Sequence, residues 1–110
     1  MEIIMKLKEI KNKFKHYFKD EKNNIQGELK EYYGNGQLWF HCYYKNNKKQ
    51  DEYKVFYSDG QIYIHCYYKD DKLQGEYKEY NPDGSFNTKY YSNGKNVTDM
   101  YLKLNIWKSL

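Results

Sequence analysis

Arginine and alanine are missing from these 110 residues, and proline occurs once. Every strong base is therefore a lysine. Together with abundant Asn, Tyr and Ile, this points to an AT-rich coding sequence, so lysine content by itself says little about function. No stretch approaches the roughly 18 consecutive apolar residues of a spanning helix; the first apolar run, Ile3-Ile4-Met5, is broken by Lys6 and Lys8. No secretory leader is read either, which gives a cytoplasmic expectation. In a reducing compartment the two cysteines, Cys42 and Cys66, are expected as free thiols. The sequon Asn96-Val97-Thr98 would matter only in a secreted chain. Phosphate-binding loop, dinucleotide fingerprint and nucleophile elbow are all missing. The imidazoles are His16, His41 and His65, and the serines 58, 85, 92 and 109 fall mainly at turns. The expectation is a chain that is not an enzyme and needs no cofactor or small-molecule substrate.

Charge is unevenly placed. The net charge is +4, and residues 1–19, with six lysines against Glu2 and Glu9, hold all of it. The remainder is neutral. A nucleic-acid-binding body would carry a basic stripe, usually with arginine, so no nucleic-acid partner is expected.

What the chain does have is an internal repeat. Residues 36–52, GQLWFHCYYKNNKKQDE, return as GQIYIHCYYKDDKLQGE at 60–76. A 24-residue shift gives three units, 27–50, 51–74 and 75–98, between an N-terminal segment (1–26) and a C-terminal remnant (99–110). Such self-similarity marks a repeat architecture. Each unit has two turn signals: Asn35-Gly36, Asp59-Gly60 and Asp83-Gly84, then Asn46-Asn47, Asp70-Asp71 and Asn93-Gly94. The segments between them are rich in Tyr, Phe, Ile and Trp, which suit strands. The predicted fold is mainly β, an antiparallel meander of tandem hairpins.

Alternation in the second strand of each unit sorts residues by face. Leu38, Phe40, Cys42 and Tyr44 share one, repeated by Ile62, Ile64, Cys66 and Tyr68 and then by Phe86, Thr88, Tyr90 and Ser92. The other carries Trp39, His41 and Tyr43, then Tyr63, His65 and Tyr67, then Asn87, Lys89 and Tyr91. The first face is the better core. The candidate contact surface is the second: Trp39, His41, Tyr43, Tyr63, His65, Tyr67 and Tyr91. Aromatic rings dominate interface hot spots, although in a chain with 15 tyrosines the rings can equally pack on one another or under a helix.

The Gly-acid-Tyr opening, mid-unit aromatic pair, central Asn/Asp-Gly, Tyr-Tyr-Lys and closing Lys-x-x-Gly together resemble MORN repeats, most of all the variant in bacterial proteins labelled YwqK-like antitoxins. Asp51 stands where the opening Gly is usual, and Asn47 and Asp71 where Gly is frequent. The resemblance implies an elongated sheet that makes protein–protein contacts, with another protein or with itself. It also implies lipid binding in some members, and the family label implies antitoxin-like neutralisation of a partner.

The ends read differently. Ile3, Leu7, Ile10, Phe14 and Tyr17-Phe18 recur at helical spacing, giving an amphipathic helix over 2–18. It would cap the sheet; alternatively Lys6, Lys8, Lys11, Lys13 and Lys15 would hold it peripherally on anionic membrane. For the C-terminus, helix and strand patterns overlap. Repeat register, with Tyr101 in the slot of Tyr53 and Tyr77, selects a strand over 100–106. His41-Cys42 and His65-Cys66 invite a zinc reading, but adjacent strand residues point to opposite faces, so four ligands would not converge and no metal is expected. A disulfide is excluded by spacing: equivalent positions two strands apart lie about 10 Å apart, beyond the about 7 Å that a bridge tolerates.

Overall fold

The computed structural model describes residues 17–109. Nine strands form one antiparallel sheet: β1 (Tyr17–Lys19), β2 (Ile25–Tyr32), β3 (Leu38–Lys45), β4 (Lys48–Phe56), β5 (Ile62–Lys69), β6 (Lys72–Leu73), β7 (Gly75–Tyr80), β8 (Phe86–Ser92) and β9 (Lys95–Asn96). One helix, α1 (Thr98–Ser109), follows. Spatial order is chain order, with β6 and β7 both beside β5. The mainly β, antiparallel expectation holds.

Left-handed backbone makes the meander. Both central residues of Asn46-Asn47 (φ 52° and 66°), Asp70-Asp71 (50° and 67°) and Asn93-Gly94 (52° and 83°) have positive φ. These are the two-residue hairpin turns whose twist matches that of the strands. In the other turn set Gly36, Gly60 and Gly84 are left-handed and donate their N–H to the carbonyls of Tyr33, Tyr57 and Asn81. The side chains of Asn35, Asp59 and Asp83 accept from the amide two residues on, at 2.9, 3.0 and 2.9 Å. A further left-handed residue opens each unit: Gly27 (φ 99°), Asp51 (φ 63°) and Gly75 (φ 93°). Asp51 thus keeps the conformation of the glycine it replaces, and aspartate is among the few residues with a side chain that tolerate it.

Neighbouring hairpins are clasped at both ends. Gln26 Oε1 accepts the Asn46 amide and Gln50 Oε1 the Asp70 amide (3.0 and 3.2 Å), and Gln74 Oε1 accepts that of Asn93 at 2.7 Å. At the opposite end the Tyr33 hydroxyl donates to the Phe56 carbonyl and the Tyr57 hydroxyl to that of Tyr80, both at 2.6 Å.

Only Cys42 and Cys66 are fully buried among the described residues, each 1% exposed. They occupy one face of the sheet, with Phe40 stacked on Tyr53 (6.4 Å) and Tyr53 edge-on to Tyr68 (5.4 Å). The Lys49 ammonium lies over the Tyr53 and Tyr68 rings at 5.2 and 5.0 Å. Burial pushes the thiols up to about 11 for Cys42 and about 12 for Cys66; they are free and protonated at neutral pH.

The predicted strand at the C-terminal end needs correction, and the predicted N-terminal helix meets the structure only at its last two residues. The helix over 2–18 lies outside the described residues except for Tyr17 and Phe18, which are strand, paired with Gly27 and Gln26. Lys6, Lys8, Lys11, Lys13 and Lys15 also lie outside them. The strand over 100–106 is part of α1. Asn96 stops β9: its side-chain oxygen accepts the Thr98 amide and hydroxyl, and Thr98 Oγ1 in turn accepts the Tyr90 amide at 2.9 Å. Asp99 in the first turn and Lys108 in the last suit the helix dipole. Among the described residues no helix is long and apolar enough to cross a membrane.

The unit-opening pivot is testable at Gly75. A β-carbon there would meet nothing within 4 Å, yet φ is 93°, so any cost of Gly75→Ala is backbone strain. We predict a loss of about 1–2 kcal/mol in a urea melt. Gly34→Ala, in equally open space with no such φ, should stay within about 0.5 kcal/mol of wild type.

Candidate functional site

The sheet face opposite the cysteines carries a repeated cluster. Directly paired residues share a face, and Glu28 pairs with Tyr43, Lys30 with His41, Glu52 with Tyr67 and Lys54 with His65. Within each hairpin the histidine Nε2–H donates to the glutamate: His41 to Glu28 at 2.5 Å and His65 to Glu52 at 2.8 Å. Lys30 and Lys54 flank the same carboxylates at 3.6 and 3.4 Å. The imidazoles lie against the next ring on their own strand, His41 with Tyr43 at 5.0 Å and His65 with Tyr67 at 5.3 Å. Each of the first two units thus presents an oriented imidazole, an aromatic ring and an ion pair on an open surface.

The third unit keeps the scheme with one residue fewer. Glu31 pairs with Phe40 and Tyr32 with Leu38, so Trp39 is a bulge; Val55 pairs with Ile64 and Phe56 with Ile62, so Tyr63 is another. In unit three Glu79 pairs with Asn87 and Tyr80 with Phe86, with nothing left over. A one-residue slip moves every later side chain to the other face. Tyr90 therefore pairs with Glu76, as Tyr67 does with Glu52, and Thr88 pairs with Lys78 in the histidine slot. Lys89, not Tyr90, takes the slot of Cys66, opposite Tyr77.

The predicted surface is accordingly redrawn. His41, Tyr43, His65 and Tyr67 do lie together. Tyr91 does not: it packs on Tyr77 at 5.7 Å on the cysteine face, as Tyr68 packs on Tyr53. Tyr90 replaces it. Phe86, Thr88, Tyr90 and Ser92, assigned to the core face from sequence, stand on the histidine face, and Asn87 and Lys89 on the other; Phe86 lies under the Lys78 ammonium at 5.1 Å. Trp39 and Tyr63 leave the cluster as bulge residues. Trp39 packs edge-on to Phe40 at 5.0 Å, and the Tyr63 hydroxyl lies 3.3 Å from Glu79, which shares the face of Tyr77. Sequence reading missed Phe18, which pairs with Gln26 on the histidine face and is 61% exposed.

The arrangement sets an imidazole between a carboxylate and a tyrosine ring in each of the first two units. Among the described residues no three His, Cys, Asp or Glu side chains are grouped to hold a metal ion. The Glu28 and Glu52 carboxyls are held below their ordinary value. For Glu28, burial pulls upward but is outweighed by the His41 hydrogen bond and charge and by Lys30; for Glu52, the His65 hydrogen bond leads.

Two predictions follow from this geometry. A carboxyl lowered by folding stabilises the fold above its unfolded value, 4.5, and loses that contribution as pH falls through the folded value. Urea midpoints should fall between pH 6 and pH 3, and less steeply in Glu28→Gln/Glu52→Gln; equal slopes would show that the pairs contribute nothing. Trp39 is 45% exposed, so Trp39→Ala should cost about 2 kcal/mol, roughly half the 3–5 kcal/mol of a fully buried ring, measured by the same melt.

No family model, curated protein or solved structure matches the chain.

Proposed function

We propose that this chain is a non-enzymatic protein-binding module and that the histidine face of the sheet, with Tyr43 and Tyr67 at its centre, is its contact surface. The observation that carries this reading is the repeated Glu–His–Tyr cluster. Hydrogen bonds from His41 and His65 to Glu28 and Glu52 orient the imidazoles, and the imidazoles lie against the tyrosine rings beside them. A ring held in place by its own chain loses little freedom when a partner covers it, so more of the contact free energy appears as affinity. Tyr67 remains 40% exposed, which leaves a large amphipathic ring open to a partner.

The resemblance to MORN repeats supports the same reading from the sequence side, and antitoxin-like neutralisation is a special case in which the partner is a toxic protein. The two buried thiols argue against nucleophilic chemistry, because burial keeps them protonated.

The test compares full-length wild type with Tyr43→Ser/Tyr67→Ser as bait in the native cell extract. The expected result is a partner held by wild type and lost by the variant, with the melting temperature little changed. A partner held equally by both, or a variant that no longer folds, contradicts the assignment of these rings to the contact surface.

A further inference from the structure

We propose that the turn end of the sheet is a binding site for a soluble anion with adjacent phosphate groups, held by Lys45, Lys48, Lys69 and Lys72. The site lies beyond the contact surface proposed above and does not depend on it.

Lysines in the middle of the sheet are matched. Lys30, Lys54 and Lys78 each pair with the glutamate two residues earlier, at 3.6, 3.4 and 3.1 Å. The four exposed lysines at the turns have no such partner: among the described residues their ammonium groups form no ion pair and no hydrogen bond. They face one another instead. Lys45 pairs directly with Lys48 across the first two-residue turn, and Lys69 with Lys72 across the second. Like charges directly opposite in a sheet cost stability, and the chain bears that cost in consecutive units. An anion bound between them would relieve it.

The turns gather the four into two adjoining hollows. Lys45, Lys48 and Lys69 line one; Lys48, Lys69 and Lys72 line the other. The Lys72 stem is held from below by the third turn, where a β-carbon on Gly94 would lie 3.7 Å from its Cβ. Three ammonium groups around one hollow suit a phosphate, which offers three acceptor oxygens and about two negative charges. A carboxylate offers two oxygens and one charge. Because the hollows share Lys48 and Lys69, their two occupants are neighbours, as phosphates joined in one molecule are. A membrane fits less well. The turn tips, Asn46-Asn47 and Asp70-Asp71, have no apolar side chain to insert, and an anionic surface would repel the two aspartates.

Asp70 gives the site a distinctive test. Its carboxylate lines both hollows and opposes an anion, while its Oδ1 accepts from the Gln50 side chain at 2.6 Å. Asn46 makes the same contact with Gln26 in the preceding turn, at φ 52° against 50° for Asp70. Asp70→Asn therefore removes the opposing charge and keeps the turn.

The experiment is titration calorimetry of the full chain with tripolyphosphate, ionic strength being held constant with sodium chloride. Wild type should bind saturably. Lys48→Gln/Lys69→Gln should weaken binding about tenfold, as expected when charge-assisted contacts are lost, with the urea midpoint kept or raised. Asp70→Asn should tighten binding about threefold. Opposite shifts from one turn region separate a site from general attraction to the six lysines of residues 1–19. Absence of saturable binding overturns the proposal, as does binding that these variants leave unchanged. A hexaglutamate peptide bound more tightly than tripolyphosphate also overturns it and makes the ligand an acidic protein segment. Binding to phosphatidylcholine vesicles containing a bisphosphorylated inositol lipid, with none to tripolyphosphate, overturns it in favour of a membrane.

Discussion

Nearly everything in the described part of this molecule follows from having one sheet layer. A β-sheet normally buries one face against a second layer; here the described chain supplies only a 12-residue helix over the last hairpin. Complete burial is reached at two small side chains, Cys42 and Cys66, around which larger rings stand. Stability must therefore be gathered along the sheet, from hairpin to hairpin. The glutamine contacts at one end of the strands and the tyrosine hydroxyl contacts at the other do this, each worth about 0.5–1.5 kcal/mol net. They recur because the sequence recurs. Each clasp reaches a backbone atom or turn residue of the following hairpin, so every hairpin is held by its neighbours.

The same constraint divides the two faces. On the cysteine face Phe40, Cys42, Tyr44, Ile64, Cys66 and Tyr68 are apolar or aromatic, and the Lys49 ammonium is accommodated over two tyrosine rings. On the histidine face His41 is paired with Glu28 and His65 with Glu52, and rings stay exposed while no buried side-chain polar atom is left unpaired among the described residues. That combination suits a surface covered by something other than the chain's own sheet.

Much of this was legible in the sequence, because turns and period are local. Asn-Asn, Asp-Asp and Asn-Gly pairs specify left-handed turns by themselves, and the repeat fixes how often they come. The faces of β3 and β5 followed from alternation near His41 and His65. What failed was the assumption that alternation runs unbroken through a strand. Trp39 and Tyr63 sit in bulges, and the third unit lacks the bulge, so every β8 residue from Phe86 onward was placed on the wrong side. The signal was present: Asn46 to Asp70 is 24 residues, but Asp70 to Asn93 is 23. The C-terminal helix was hidden for another reason. Leu102, Leu104 and Ile106 alternate like a strand, while the deciding interaction, Asn96 with Thr98 and Thr98 with Tyr90, is a side-chain contact that no periodicity reports.

The division of labour between the faces is tested most directly at the two thiols. If the cysteine face is the core, an excess of thiol reagent should modify Cys42 and Cys66 only when the sheet opens, so the labelling rate should rise with urea in step with the unfolding rate. Rapid labelling of both thiols in the native protein, at the rate of an exposed cysteine and independent of urea, would contradict the account.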